Sequence, residues 1–159
     1  MCSWSKIIKT TNNKIKIFWL FFGILIFFII DRLSKILSIK FLSTDGVFLF
    51  SDKVGLILEN NQGISYSIPF SGIYLIIAII AIIAGLVYLG IRAYARQEIN
   101  VVISVALIIA GAVSNLFDRI QYGYVIDMLV LIKWPVFNIA DIMILVGGIW
   151  LIIIYLKKK

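Results

Sequence analysis

Histidine is missing from this chain altogether. Its absence removes every Ser-His-Asp or Cys-His nucleophilic arrangement and every imidazole-ligated metal site. Cysteine is nearly missing too: Cys2 stands alone, cannot form an internal disulfide and has no histidine to activate its thiol. Charge is scarce, at 14% of residues, and only eight of the 159 residues are acidic. General acid–base chemistry therefore falls to carboxylate, lysine or tyrosine, and each carboxylate can be considered individually.

What the chain has in abundance is apolar surface, with 62% hydrophobic residues. That is well above a soluble domain, so water is not its main solvent. A spanning helix takes roughly 20 mostly apolar residues, so the length holds four or five spans with short connections. One integral-membrane domain over residues 1–159 is expected, without a separate soluble unit. The net charge of +7 does not point to nucleic acid, because the basic residues cluster beside apolar segments, where they act as topology signals.

Along the chain, Lys6, Lys9, Lys14 and Lys16 precede an apolar run from Ile17 that resumes beyond Asp31 and Lys35 to Leu42. No small-residue cleavage site follows, so this reads as an uncleaved first span behind a cytosolic tail over 1–14. Residues 40–70 are mixed, with turn formers at Asp45-Gly46, Asp52, Gly55, Asn60, Asn61 and Gly63 around β-prone pieces such as Val47 to Phe50. A second span runs from Ile73 to Ile91 and a third from about Ile99 to Ile120. A loop through Lys133-Trp134-Pro135 leads to a fourth from about Phe137 to Leu156. The expected fold is an all-α membrane protein of four transmembrane helices, with a small extracytoplasmic β-containing loop region at 40–70. Basic residues gather at the N-terminus, in the connection from Arg92 to Arg96 and at Lys157 to Lys159, which predicts that both termini are cytosolic.

An ionisable residue within a span costs at least about 2.5 kcal/mol, so it usually faces the bundle interior and has a partner. Asp31, Ser34 and Lys35 stand at i, i+3 and i+4 on one helix face, where a structural ion pair is the plainest reading. Gly111, Asn115 and Asp118 share a face of the third span, whereas Arg119 points about 100° away from Asp118. Asp127 cannot share that face if the helix continues, and Gly123 is a natural place for it to end. Asn138 and Asp141 are again three apart, at the start of the fourth span. At 1.5 Å per residue, Asp31 lies roughly 21 Å above Ile17 and Asp118 roughly 28 Å above Ile99, while Asp141 is roughly 6 Å below the outer end of its span. Polar residues of three helices and one loop thus fall in one outer-leaflet slab.

Two carboxylates a few ångströms apart do not both ionise readily. The charged one takes a proton from water attacking a peptide carbonyl while the protonated one assists at the carbonyl oxygen, with no metal or thiol. Asp127 and Asp141, on either side of the Trp134-Pro135 connection, are the best such pair. Spacing alone leaves catalysis open beside a structural or ion-conducting role.

At Asp31-Arg32-Leu33-Ser34-Lys35, Asn61-Gln62-Gly63, Gly111 to Asp127 (GAVSNLFDRIQYGYVID) and Trp134 to Asp141 (WPVFNIAD), the chain resembles the lipoprotein signal peptidases, also called signal peptidase II. The resemblance covers nearly everything after the N-terminal tail. It implies a bacterial inner-membrane aspartic peptidase that cuts diacylglyceryl-modified prolipoproteins just before the lipid-bearing cysteine. It implies Asp127 and Asp141 as the catalytic dyad and no cofactor or metal. Asn61, Asn115, Arg119 and Asn138 become polar contacts to substrate or dyad, and Asp31, Lys35, Gly63, Gly111, Asp118 and Ala140 supports of the site. The implied partners are lipid-modified prolipoproteins and membrane lipids; the charge pattern gives no nucleic-acid partner, and a compact four-helix unit is expected to work as a monomer. Ser114, Met128 and Tyr66 depart from the family pattern, which usually has glycine, an aromatic and phenylalanine there.

Three other readings compete. An ion- or proton-coupled transporter subunit predicts charge spread through the membrane depth, which the second, third and fourth spans lack in their cytosolic halves. A Ser-Lys membrane peptidase would use Lys35 as base with a distant serine such as Ser65 or Ser67, since Ser34 faces away. A non-enzymatic assembly factor accounts for ion pairs but not for four motifs in order.

Overall fold

The computed structural model describes residues 4–49, 53–63, 72–131 and 134–158. Four helices, α1 (Trp4–Phe41), α2 (Ile73–Ala95), α3 (Ile99–Tyr122) and α4 (Ile139–Leu156), are combined with three strands, β1 (Val47–Leu49), β2 (Val54–Asn61) and β3 (Val125–Leu131). Each helix is long and apolar enough to cross a membrane, α1 doing so over Ile17–Phe41.

Burial is inverted relative to a soluble protein. Phe18, Leu25, Phe27, Leu33, Ile77, Ile82, Leu145 and Ile152 are exposed, whereas Asp31, Lys35, Asp118, Asp127 and Asn138 are buried. That pattern suits a hydrocarbon solvent, in which apolar side chains need no cover and polar ones must find one another. α3 is the hub, packing against α1, α2 and α4.

Two glycines allow α3 and α4 to approach closely. A Cβ on Gly111 would collide with the Ala140 carbonyl, and one on Gly147 would lie 2.8 Å from the Ser104 carbonyl and 2.7 Å from Ile108 Cγ1. Small residues at helix contacts serve this purpose where no hydrophobic effect drives helices together. At the far end Ala93, Val101 and Val105 form an apolar cluster with Leu86, Leu89, Leu151 and Ile154. There Lys158 Nζ donates to Glu98 Oε1 at 2.7 Å.

The strands form one antiparallel sheet in the order β1-β2-β3 at the opposite end of the bundle, where α1 finishes and α4 begins. Gly123 ends α3 in the left-handed conformation, at φ 83°, and its N–H donates to the Arg119 carbonyl. The chain then reverses into β3. Beyond the Trp134-Pro135 connection it folds back along that strand: Leu129 N–H donates to the Phe137 carbonyl at 2.8 Å, and Phe137 N–H returns the bond at 3.0 Å. This clasp sets Asn138 beside Asp127.

Several expectations are corrected. The segment carrying Asp127 is a strand rather than a loop; its apolar run VIDMLVL is buried on both faces at its start and so lacks the alternation that marks a half-buried strand. Helix α1 begins at Trp4, so residues 4–14 of the tail are helical ahead of the apolar segment Ile17–Phe41. α2 continues through Ala95 into what reads as a basic connection. α4 starts at Ile139, not Phe137, because Asn138 is its cap. Cys2, Asp52, Ser65, Tyr66, Ser67 and Lys133 lie outside the described residues.

Candidate active site

The polar slab resolves into two linked layers. In the inner one, Asp31 and Lys35 are one helical turn apart on α1, with Nζ 3.2 Å from Asp31 Oδ2 and 2.7 Å from Asp118 Oδ2 on α3. Lys35 Nζ also donates to Asn115 Oδ1 at 2.8 Å. All three ammonium protons therefore have acceptors, which is what a fully buried lysine requires. Arg32, unremarked in the sequence beyond its place in the motif, pairs with Asp118 Oδ1 and lies over the Phe117 ring at 4.6 Å. Ser114 Oγ donates to Asp31 Oδ2 at 2.5 Å. The departure from glycine at this position therefore supplies a hydroxyl that ties α3 to α1.

Both inner carboxylates also reach backbone. Asp31 Oδ1 accepts Ala140 N–H at 2.8 Å, and Asp118 Oδ2 accepts Ile126 N–H at 3.4 Å. These are the residues immediately before Asp141 and Asp127.

The outer layer holds Asp127, on β3, and Asp141, in the first turn of α4. Asn138 joins them. Its Oδ1 accepts Asp141 N–H at 2.9 Å and Asp141 Oδ2 accepts Asn138 N–H at 3.2 Å, a reciprocal capping box. The relation between these two residues is thus a helix cap, not the shared helix face that their spacing suggests. Asn138 Nδ2 donates to Asp127 Oδ1 at 2.6 Å and to Asn115 Oδ1 at 3.1 Å. Asn115 Nδ2 donates to Asp141 Oδ1 at 2.8 Å, and Asn61 Nδ2, from β2, donates to Asp127 Oδ2 at 2.9 Å.

The direction of these amides is fixed by groups that can only donate. The Lys35 ammonium holds the Asn115 oxygen, the Asp141 backbone N–H holds the Asn138 oxygen, and Gly63 N–H holds the Asn61 oxygen at 3.2 Å. Each amide consequently turns its NH₂ toward a carboxylate.

Arg119 points away from Asp118, as its position next in sequence predicts. Its guanidinium makes two long contacts, to the Gly63 carbonyl at 3.4 Å and the Asn115 carbonyl at 3.5 Å, and Nε is buried without a partner among the described residues. Among the described residues this cation has donor capacity left over beside two acids. Asp127 is 1% exposed and Asp141 half-buried. Burial pushes the Asp127 carboxyl up to about 6, and the neighbouring Asp141 charge adds to that, while the Asn61 and Asn138 amides and the Lys35 charge pull the other way.

The predicted site residues Asp31, Lys35, Asn61, Gly63, Gly111, Asn115, Asp118, Arg119, Asp127, Asn138, Ala140 and Asp141 thus form one connected assembly, to which the structure adds Arg32 and Ser114. Hydroxyls and guanidinia at lipid-level helix positions carry no sequence period of their own. What could have found these two is only that each is a polar residue in an otherwise apolar helix.

Comparison with known proteins places the chain. The signal peptidase (SPase) II family model matches residues 23–157. The lipoprotein signal peptidase of Thermodesulfovibrio yellowstonii is 36% identical over 152 residues, covering 91% of this chain and 99% of that protein. The protein of the same name from Halothermothrix orenii is 35% identical over 138 residues, covering 86% and 93%. A solved bacterial membrane enzyme superposes with a TM-score of 0.74 at 26% identity, covering 87% of each chain, and a second structure so described gives 0.74 at 25%, covering 88% of this chain and 94% of that one. With this family model matched across most of its length and relatives above 30% identity on nearly full coverage, the chain belongs to the signal peptidase II family.

Proposed function

We propose that Asp127 and Asp141 are the catalytic pair of this membrane aspartic peptidase, and that it cuts diacylglyceryl-modified prolipoproteins immediately before the modified cysteine. The observation that carries the reading is the Asn138 bridge: one side chain, capping α4, is hydrogen-bonded both to Asp127 and to the backbone of Asp141. Two acids held this way hold one proton between them, the state an aspartic dyad needs. One activates water, and the other protonates the carbonyl oxygen of the scissile bond.

Asn61, Asn115, Arg119 and Asn138 surround the pair as contacts to the dyad or to substrate backbone. Arg119, whose Nε has no partner among the described residues, is suited to a substrate carbonyl. Asp31, Lys35, Gly63, Gly111, Asp118 and Ala140 support them. Both termini are cytosolic and the sheet end is extracytoplasmic, in keeping with Arg92, Arg96, Lys157 and Lys158 at the opposite end. A lipid-anchored cysteine keeps its peptide bond at this level of the bilayer, and its acyl chains approach between helices. The enzyme acts as a monomer.

The competing chemistries fit less well. Lys35 has no free lone pair to act as a base while its ammonium serves three acceptors. Among the described residues the acidic groups inside spans sit at one end, which does not suit an ion path through the membrane.

The test is cleavage of a diacylglyceryl-modified prolipoprotein by purified protein in detergent, with Asp127→Asn and Asp141→Asn alongside. Both variants are expected to lose cleavage. Full activity in either removes that residue from the dyad, and equal rates with and without lipid on the cysteine sink the substrate assignment.

A further inference from the structure

We propose that the proton shared by the dyad resides on Asp127, which leaves Asp141 as the ionised member that accepts a proton from the attacking water. This rests on the reading of the two residues as the catalytic pair.

The donor count does not distinguish them, since each carboxylate accepts two hydrogen bonds. Their surroundings do. Asp141 is the third residue of α4, where the helix dipole favours a negative charge. One of its donors is a backbone N–H, from Asn138. The other, Asn115, has its carbonyl oxygen on the Lys35 ammonium, which polarises the amide and strengthens the N–H it offers to Asp141. Asp141 is also partly exposed.

Asp127 lacks the helix dipole, the backbone donor and the amide held by an ammonium, since both of its donors are side-chain amides whose oxygens rest on backbone N–H groups. It lies on a strand, where no comparable dipole exists, and is buried to 1% exposure. Among the described residues, the groups near it from the packed elements are Lys35 on α1, Arg119 on α3, Asn61 and the exposed cross-strand Glu59 on β2, and Asn138 and Asp141 on α4. Lys35 and Asp118 are already paired with each other, and Arg119 is common to both members of the dyad. The displacement of Asp127 upward, to about 6, agrees with the geometry.

The step then runs in one direction. Water oxygen bonds to the scissile carbonyl carbon while one water proton passes to Asp141 and the Asp127 proton passes to the carbonyl oxygen. When the C–N bond of the resulting gem-diol breaks, the leaving nitrogen takes the proton from Asp141. One hydroxyl proton returns to Asp127, and the products are a carboxylic acid and an amine.

Infrared spectroscopy of protein labelled at the aspartate side-chain carbonyl tests this, because the chain has only six aspartates, of which Asp31 and Asp118 are ion-paired. The difference spectrum between about pH 5 and about pH 8 should contain one protonated-carboxyl band in the parent. It should disappear in Asp127→Asn and persist in Asp141→Asn. Persistence in Asp127→Asn, loss in Asp141→Asn, or no band in the parent overturns the proposal.

Asn61→Ala gives a second reading that leaves both acids in place. Asn61 touches Asp127 and not Asp141, so its loss should move the midpoint of the band upward by about one pH unit. An unmoved midpoint places the proton on Asp141. Cleavage by the same samples reports on the catalytic reading separately: a variant that loses the band and still cleaves overturns that reading, not the location of the proton.

Discussion

Asp31 Oδ1 accepts the backbone N–H of Ala140 at 2.8 Å, so a carboxylate of the first helix caps the first turn of the fourth. Asp118 does the same for Ile126 in β3, though at 3.4 Å. Each inner acid holds the residue before one member of the proposed dyad, and Lys35 joins the two. The spacing of the outer pair is thereby tied to a cluster in which Asp31, Lys35 and Asp118 are fully buried.

Removing one of these ties should therefore affect both stability and turnover. Asp31→Ala leaves the Ala140 N–H and one N–H of Lys35 unpaired in a buried site, a loss of about 3–5 kcal/mol. The expected result is a lower unfolding midpoint in detergent and a fall in kcat with KM nearly unchanged, because the substrate contacts remain.

The dyad itself should show the steepest loss. Asp127→Asn and Asp141→Asn are each expected to reduce kcat by at least ~10³-fold in the lipoprotein cleavage assay, with the double variant little worse than either single one. Additive losses would mean that the two acids do not act as a unit.

Asp127 also gives stability a pH dependence of known sign. Its folded-state value, about 6, lies above the ordinary 3.8. Its contribution is therefore fully present below the unfolded value and is lost as pH rises through about 6. Above that the folded protein carries a buried charge at a cost of up to about 3 kcal/mol. Asp127→Asn removes the titrating group, so its unfolding midpoint should fall less than the parent's between about pH 5 and about pH 8. Thermal unfolding at the two pH values measures it.

The two interhelical glycines offer a matched comparison. Gly111→Ala and Gly147→Ala both force α3 from α4, each at about 1–3 kcal/mol. Gly111 presses on Ala140, the neighbour of Asp141, whereas Gly147 lies two turns further along the helix. For a similar drop in unfolding midpoint, Gly111→Ala should lose far more cleavage.

Much of this was legible in the sequence, for physical reasons. The four spans follow from apolar runs of bilayer length, and the Asp31/Lys35 and Gly111/Asn115/Asp118 faces follow from helical periodicity. Charges in hydrocarbon are few enough that Asp127 and Asp141 stand out without a structure. What stayed hidden depends on contacts between distant segments. β3 has too continuous an apolar run to declare itself a strand, and the return of Phe137 along it is a tertiary pairing. The Asn138 cap is recognisable only once the start of α4 is known. Arg32 and Ser114 acquire their roles from Asp118 and Asp31, which no local spacing connects.

The three N–H bonds of Lys35 run to Asp31 on its own helix, to Asp118 on α3, and to Asn115, the α3 amide that faces Asp141. A tetrahedral ammonium serves as a three-legged joint here, and a planar guanidinium has no such arrangement of donors. Position 35 is thus specified by valence and shape as well as by charge. Lys35→Arg keeps the positive charge yet should inactivate the enzyme, and the loss should not be rescued by raising substrate concentration.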